Sequence, residues 1–222
     1  MPEDWSRFLG PAVAFGGVVA ALISYWKTQA WKRQEFLAAQ FDQLRSDERS
    51  RTAMILLDQG RSYVELPFDT PDEKETLASA DGKTKFVSIG STRLAVALVP
   101  HDRRGGLGNT PVHDHVRLCI DELLMKLCTF QLMIDKKLAA AKDVHDYLGY
   151  WIEVVAGVRA RKSSQNRKDV FLALRWHVAE YGFGDVQDLA RGYGHDLSIT
   201  DEDKEALLAR LASRARDPDR TG

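Results

Sequence analysis

The chain has 222 residues, with 31 Lys and Arg against 32 Asp and Glu, so its net charge is −1. That balance excludes a global basic field for nucleic acid, and no nucleic-acid partner is expected. The two cysteines exclude a disulfide framework, and the length suits one domain of ordinary size or two very small ones.

The first element in chain order is the uncharged run Phe8 to Trp26, FLGPAVAFGGVVAALISYW. At about 1.5 Å rise per residue it reaches roughly 28 Å, close to a bilayer core. Trp5 and Phe8 at one end, with Tyr25, Trp26 and Trp31 at the other, resemble an aromatic belt. The run is therefore expected to be a single transmembrane helix. The leader MPEDWSR, with two acids and one Arg, is unlike the basic start of a signal peptide. Only Arg7 precedes the run, whereas Lys27, Lys32 and Arg33 follow it. The positive-inside rule then puts the N-terminus outside and the remainder in the cytoplasm, at the inner membrane. Ala12, Gly16, Ala20 and Ser24 recur every four residues, a small-residue face suited to helix–helix packing.

Lys27 to Asp58 reads as one helix continuing out of that segment, and Gly60 is a natural stop. Ala30, Leu37, Phe41 and Leu44 lie near a heptad seam that Gln34 interrupts. Two readings stand side by side: a stalk that pairs protomers, or the first helix of a bundle. RSYVELP, 61–67, is β-prone. Thr70-Pro71-Asp72-Glu73 predicts a brief helix ending at the Asp81-Gly82 turn. Lys83 to Ile89 predicts a second short strand, and Ser91 or Thr92 opens a helix through Val99. HDRRGGLGNT, 101–110, is Gly-rich but lacks the order of a phosphate or dinucleotide loop, so it is expected to be a plain loop.

Thr110-Pro111 opens the clearest helix. Val116, Ile120, Leu123, Leu127, Phe130 and Ile134 follow a 3.6-residue stripe, which places this helix at the centre of the core. Further helices are predicted over Val144–Ala156, Asp169–Tyr181, Asp185–Arg191 and Asp201–Arg214, the last capped by Thr200. Cys119 and Cys128, nine apart, fall on roughly opposite helix faces and are expected to be reduced, buried thiols.

The pattern DVHDYLGYWIEVVAG, a basic gap and FLALRWHVAEYGFGDVQDL resembles a group of uncharacterised bacterial single-pass membrane-anchored proteins. RTAMILLD and LAVALVPH are similar to the same group. The resemblance implies an anchor and a helical cytoplasmic domain, and it supplies no site residues.

Four histidines precede an Asp, at His101-Asp102, His113-Asp114, His145-Asp146 and His195-Asp196, which invites a metal-dependent hydrolase. The candidate ligands are His101, His113, His115 and Cys119. Neighbouring helical residues point about 100° apart, so His113 and His115 diverge, while His115 and Cys119 at i and i+4 share a face. Two ligands are fewer than zinc takes from protein. No HExxH, CxxC or nucleophile elbow is present, and no metal or cofactor is expected. Arg159, Arg161, Lys162, Arg167 and Lys168 form a basic stretch that a membrane-tethered domain could turn to anionic lipid.

These features define an all-α protein with at most one or two short strands. Residues 1–7 are a short extracytoplasmic end, 8–26 the transmembrane helix and 27–60 a juxtamembrane helix. Residues 61–200 form the cytoplasmic helical domain, and 201–222 a C-terminal helix with a disordered tail. The function expected is a membrane-tethered, non-enzymatic interaction, sensor or effector module. Its partners are membrane lipid and a second copy or another membrane protein, with self-association through the membrane helix. The alternatives are a membrane-anchored metal-dependent hydrolase using the His-Asp residues, or an ancillary subunit of a membrane complex.

Overall fold

The structure, a computed structural model, describes residues 6–66, 76–78, 84–107 and 110–216, and within them the side chains except those of 6–20, 76, 78, 106, 161, 162 and 216. Eight α-helices and three strands lie among these residues. They are α1 (Ser6–Ser46), α2 (Glu48–Gln59), β1 (Ser62–Leu66), β2 (Thr76–Ala78), β3 (Lys85–Ile89), α3 (Ser91–Leu98), α4 (Pro111–Asp135), α5 (Ala141–Val155), α6 (Gln165–Glu180), α7 (Gly184–Gly192) and α8 (Asp201–Arg216).

Helix α4 forms where the stripe predicts it. Thr110 Oγ1 accepts from the His113 amide and Pro111 occupies the first turn, where its missing N–H costs nothing. Val116, Ile120, Leu123, Leu127 and Phe130 are buried, and Ile134 packs half-buried against the same core. Each full burial contributes about 1.5–3 kcal/mol before entropy is subtracted. Around α4 pack α2, α3, α7 and β1, so it is the central pillar.

Three expectations are corrected here. The first concerns the membrane. Among the described residues no helix is long and apolar enough to cross one. The transmembrane helix, the single-pass topology and the inner-membrane localisation are withdrawn on that finding. The apolar run does not end in an anchor. It is the first part of the 41-residue α1, whose later half carries Lys27, Lys32, Arg33, Glu35, Asp42 and Arg45. Of the small-residue face, the side chains of Ala12, Gly16 and Ala20 lie outside the described residues, and Ser24 is exposed.

The second correction is to the all-α class. A three-stranded antiparallel sheet is present, in the order β1-β3-β2. Val64 faces Val87 and Ser62 faces Ile89 across the β1–β3 pair, while Thr76 faces Val87 across the other. Val64, Leu66, Val87 and Ile89 turn inward at period two, the alternation of a half-buried sheet. The predicted helix after Thr70 is replaced in part by strand β2. Its Thr70-Pro71-Asp72-Glu73 start and its Asp81-Gly82 turn lie outside the described residues.

The third is the break between α1 and α2. Asp47 takes extended backbone and accepts from the Ser50 amide at 2.7 Å, capping a new helix where one continuous helix was expected.

Helix α8 is pinned to α6 by charge. Asp169 is fully buried, and its carboxylate meets Arg210 Nη2 and Arg214 Nη1, each at 2.8 Å. Gln165 Nε2 also donates to it at 3.0 Å. Thr200 and Asp203 cap the start of α8 reciprocally, Thr200 Oγ1 accepting from the Asp203 amide and donating to its carboxylate. Removing a buried carboxylate leaves two guanidinium groups without their counter-charge. Asp169→Asn is expected to destabilise the protein by about 3 kcal/mol in urea denaturation. Unchanged stability would show that the triad does not hold α8.

Candidate functional site

The predicted metal ligands do not converge. His101 starts a short 3₁₀ turn and is exposed; its amide donates to the Tyr181 hydroxyl at 3.3 Å. His113 is buried on the α4 face that looks toward Arg104 and Arg93, whereas half-buried His115 sits near Arg49 and Glu48. Cys119 is buried, and burial pushes its thiol up to about 11, so it stays protonated at neutral pH. Cys119 and Cys128 are both free. Among the described residues no group of three His, Cys, Asp or Glu could hold a metal ion.

The histidine that does meet a carboxylate is His177, which no Asp follows in sequence. Its ring is fully buried, and Nε2 lies 2.5 Å from Asp121 Oδ1. An ionised carboxylate only accepts, so Nε2 carries the proton. The ring stacks near Tyr181 and Phe183, and Nδ1 has no partner. The legible sign was position. Val170, Ala173, Leu174 and His177 share the buried face of α6, and a buried His needs a polar partner from elsewhere.

Beside it, the C-terminal end of α3 gathers arginines. Helix α3 is buried from Leu94 to its end, and its last carbonyls have no helical partner. Arg104, only 3% exposed, donates from Nε to Val99 O at 3.0 Å and from Nη2 to Ala97 O at 2.6 Å. Arg117 Nη2 donates to the same two carbonyls, at 2.9 and 3.3 Å, and its guanidinium lies over the Tyr181 ring. Burial, then the charge of Arg117, pull Arg104 down to about 10, still protonated at neutral pH. Burial, then Arg104 and Arg93, hold His113 at about 4, and its Nδ1 is buried without a partner. This cluster is built around neutral carbonyls, and it explains why the Gly-rich segment is ordered at Arg104.

The basic stretch divides. Arg167 leaves the solvent to cap α2, donating from Nη1 to Leu56 O at 3.2 Å and from Nη2 to Asp58 O at 2.7 Å. Gly60, at φ 73°, makes room for it: a Cβ there would stand 2.7 Å from Arg167 Nη1. Arg159 lies over the Tyr150 ring at 4.3 Å. Lys168 is exposed, and the side chains of Arg161 and Lys162 lie outside the described residues. Lipid contact by these five rested on a membrane tether, and that premise is gone.

Two clefts flank this region. One, of about 230 Å³, is lined by Asp58, Arg159, Ser163, Arg167 and Phe171 among others. The other, of about 350 Å³, lies across Ala160 and Phe171, which line both.

The largest departure from an ordinary surface is α1. Leu37 and Leu44 are buried against the body, and Phe41 packs on Tyr147 with ring centroids 5.8 Å apart. Toward the N-terminus, from Phe36 back to Ala21, no described side chain of α1 is buried. Leu22, Ile23, Tyr25, Trp26, Trp31 and Phe36 are 43–65% exposed. At 100° per residue, Leu22, Ile23, Trp26, Ala30, Leu37, Phe41 and Leu44 fall within about 100° of arc. Apolar residues therefore recur on one face along the described length of α1, covered at one end and bare at the other, with Arg33 and Gln40 interrupting that face.

Neutral His113 has a consequence for stability. Its folded value, about 4, lies below the ordinary 6.5. The folded state thus binds protons less readily than the unfolded chain. The contribution is fully present above pH 6.5 and is lost as pH falls toward 4. Its full size is about 3 kcal/mol. His113→Gln is expected to flatten the fall in stability between those pH values, measured by denaturation across the range; a parallel profile would contradict it.

No family model, curated protein or solved structure matches the chain.

Proposed function

We propose that the chain is a non-enzymatic interaction module that pairs with a second copy of itself through the bare half of the α1 stripe. The observation that carries this reading is that the bare and covered apolar residues of α1 share one face, broken between them by Arg33. Leu37, Phe41 and Leu44 already serve as a helix-packing surface against α2 and α5, and Leu22, Ile23, Trp26 and Ala30 extend the same face beyond the body.

Area supports a like partner. Five large side chains on or beside the stripe, at about 200 Å² each and about half exposed, offer roughly 500 Å² per copy. Two copies then bury about 1,000 Å², the size at which specific interfaces begin. An isologous pair needs the same patch on both partners, and one stripe per chain meets that condition.

Local chemistry supports an antiparallel crossing at Ala30. A small residue there lets the two helices approach closely. Trp26 and Arg33 stand one turn to either side of it, so each Arg33 meets the partner's Trp26 as a cation–π pair. Lys27 and Lys32 lie off the stripe, away from their symmetry mates.

Sedimentation equilibrium of the full chain tests the reading. Twice the 25.0 kDa chain mass is expected at micromolar concentration. Because these side chains are exposed in one copy, Ile23→Glu with Trp26→Glu is expected to give a monomer of unchanged melting temperature. A wild-type chain that stays monomeric at about 100 μM, a concentration that saturates a weak pair, would sink the proposal.

A further inference from the structure

The cleft of about 350 Å³ is lined by Gly157, Ala160, Gln165, Lys168, Phe171, Leu172 and Arg175. Its volume falls within the roughly 300–1,000 Å³ of small-molecule sites. The lining has two characters. Gly157, Ala160, Phe171 and Leu172 supply an apolar floor, and Lys168 and Arg175 supply positive charge with no acid among the lining residues.

Of the two cations, Lys168 is not consumed by the fold, whereas Arg175 also caps α5. Lys168 is exposed and makes no ion pair among the described residues. Arg175 gives Nη2 to Ala156 O at 3.1 Å, while its Nε is out of solvent and without a partner. The nearest buried carboxylate, Asp169, is already matched by Arg210 and Arg214, and Gln165 is turned to it. An anion seated in the cleft finds the Lys168 ammonium as counter-charge and the positive field of Arg175 beside it.

The floor is built rather than incidental. Gly157 takes φ 69° and lets the segment after α5 lie directly on Phe171, since a Cβ there would stand 2.9 Å from Phe171 Cβ and Cγ. Phe171 is in turn fixed from the far side by the Arg167 guanidinium, 4.9 Å from its ring centre. The ring that floors the cleft is therefore held by both neighbours.

We propose that this cleft binds a small amphiphilic anion: an aromatic or short branched apolar body on Phe171 and Leu172, and one carboxylate- or sulfonate-like head between Lys168 and Arg175. This site is independent of α1 pairing, because no α1 residue lines it.

Anilinonaphthalene sulfonate, with its neutral relative N-phenylnaphthylamine, tests the assignment on the full chain. The sulfonate is expected to bind the native protein, followed by fluorescence, and to shift the Arg175 Nε–H resonance. Lys168→Glu lies at an exposed position and should leave the melting temperature unchanged. It is expected to weaken the sulfonate about tenfold, a single charge contact, and to leave the neutral amine unaffected. Leu172→Trp fills the floor and is expected to abolish both. Trp26→Glu, on α1, is expected to change neither. Failure of the sulfonate to bind, equal binding by Lys168→Glu, or loss of binding in Trp26→Glu with retention in Leu172→Trp would each overturn the proposal.

Discussion

Helices leave their last carbonyls without helical partners, and this chain answers that constraint with arginines drawn from elsewhere. Arg104 and Arg117 close α3, Arg167 closes α2 and Arg175 closes α5. A guanidinium suits the role twice over. It carries several donors in a fixed plane, and its charge complements the negative end of the helix dipole. Helix α3 depends on it most, because it is buried from Leu94 to Leu98 and its eight residues, Ser91–Leu98, are too few to be stable alone. The clamps also set the architecture. Arg167 reaches from α6 to α2 and Arg117 from α4 to α3, so each cap is at the same time a tie between elements distant in sequence.

The same demand, that buried polar groups be matched, orders the remaining charges. Asp169 has two arginines and an amide. His177 has Asp121. His113 has no acceptor or donor on Nδ1 and faces arginines, and the consequence is a ring held neutral. Matched charges tie helices together without making them reactive. An unmatched titratable one carries its cost in pH-dependent stability, and His177 Nδ1 and Arg175 Nε are further buried nitrogens without a hydrogen-bond partner.

Local pattern was legible and non-local pairing was not. The α4 stripe, the Thr110-Pro111 and Thr200 starts and the Gly60 stop are read from a few adjacent residues, because capping and periodicity are local physics. The break at Asp47 was concealed by apolar residues on either side of it, although Asp followed by Glu is a helix-start signal. Strand β2 was masked by turn-and-cap residues that favour a helix start, and it forms because β3 offers an edge, a tertiary effect on propensity. The histidine chemistry was sought in His-Asp neighbours. The pair that forms joins residues 56 apart, which no spacing rule contains. Counting five basic residues likewise could not show that Arg167 is spent on α2 while Lys168 is not. The membrane reading treated Phe8 to Trp26 as a unit, whereas the helix continues to Ser46 and takes on charge as it goes.

The distribution of these groups bears on what kind of work the protein does. Several residues with chemical potential in the described structure are already occupied: Cys119 as a protonated thiol, His177 with Asp121, Arg104 and Arg117 on carbonyls. What faces solvent is different in kind, an apolar helix stripe without a covering and a cleft with an aromatic floor and a cationic rim. Inward, helix-tying charges hold the body together, and outward, uncovered apolar and cationic groups give it something to hold. A rigid body with unsatisfied surfaces is suited to recognition, because a partner that covers them recovers the cost of their exposure without any bond being made or broken. The two proposed partners differ, a helix of its own kind for the stripe and a small anion for the cleft. They lie on different elements, so each can be filled without the other.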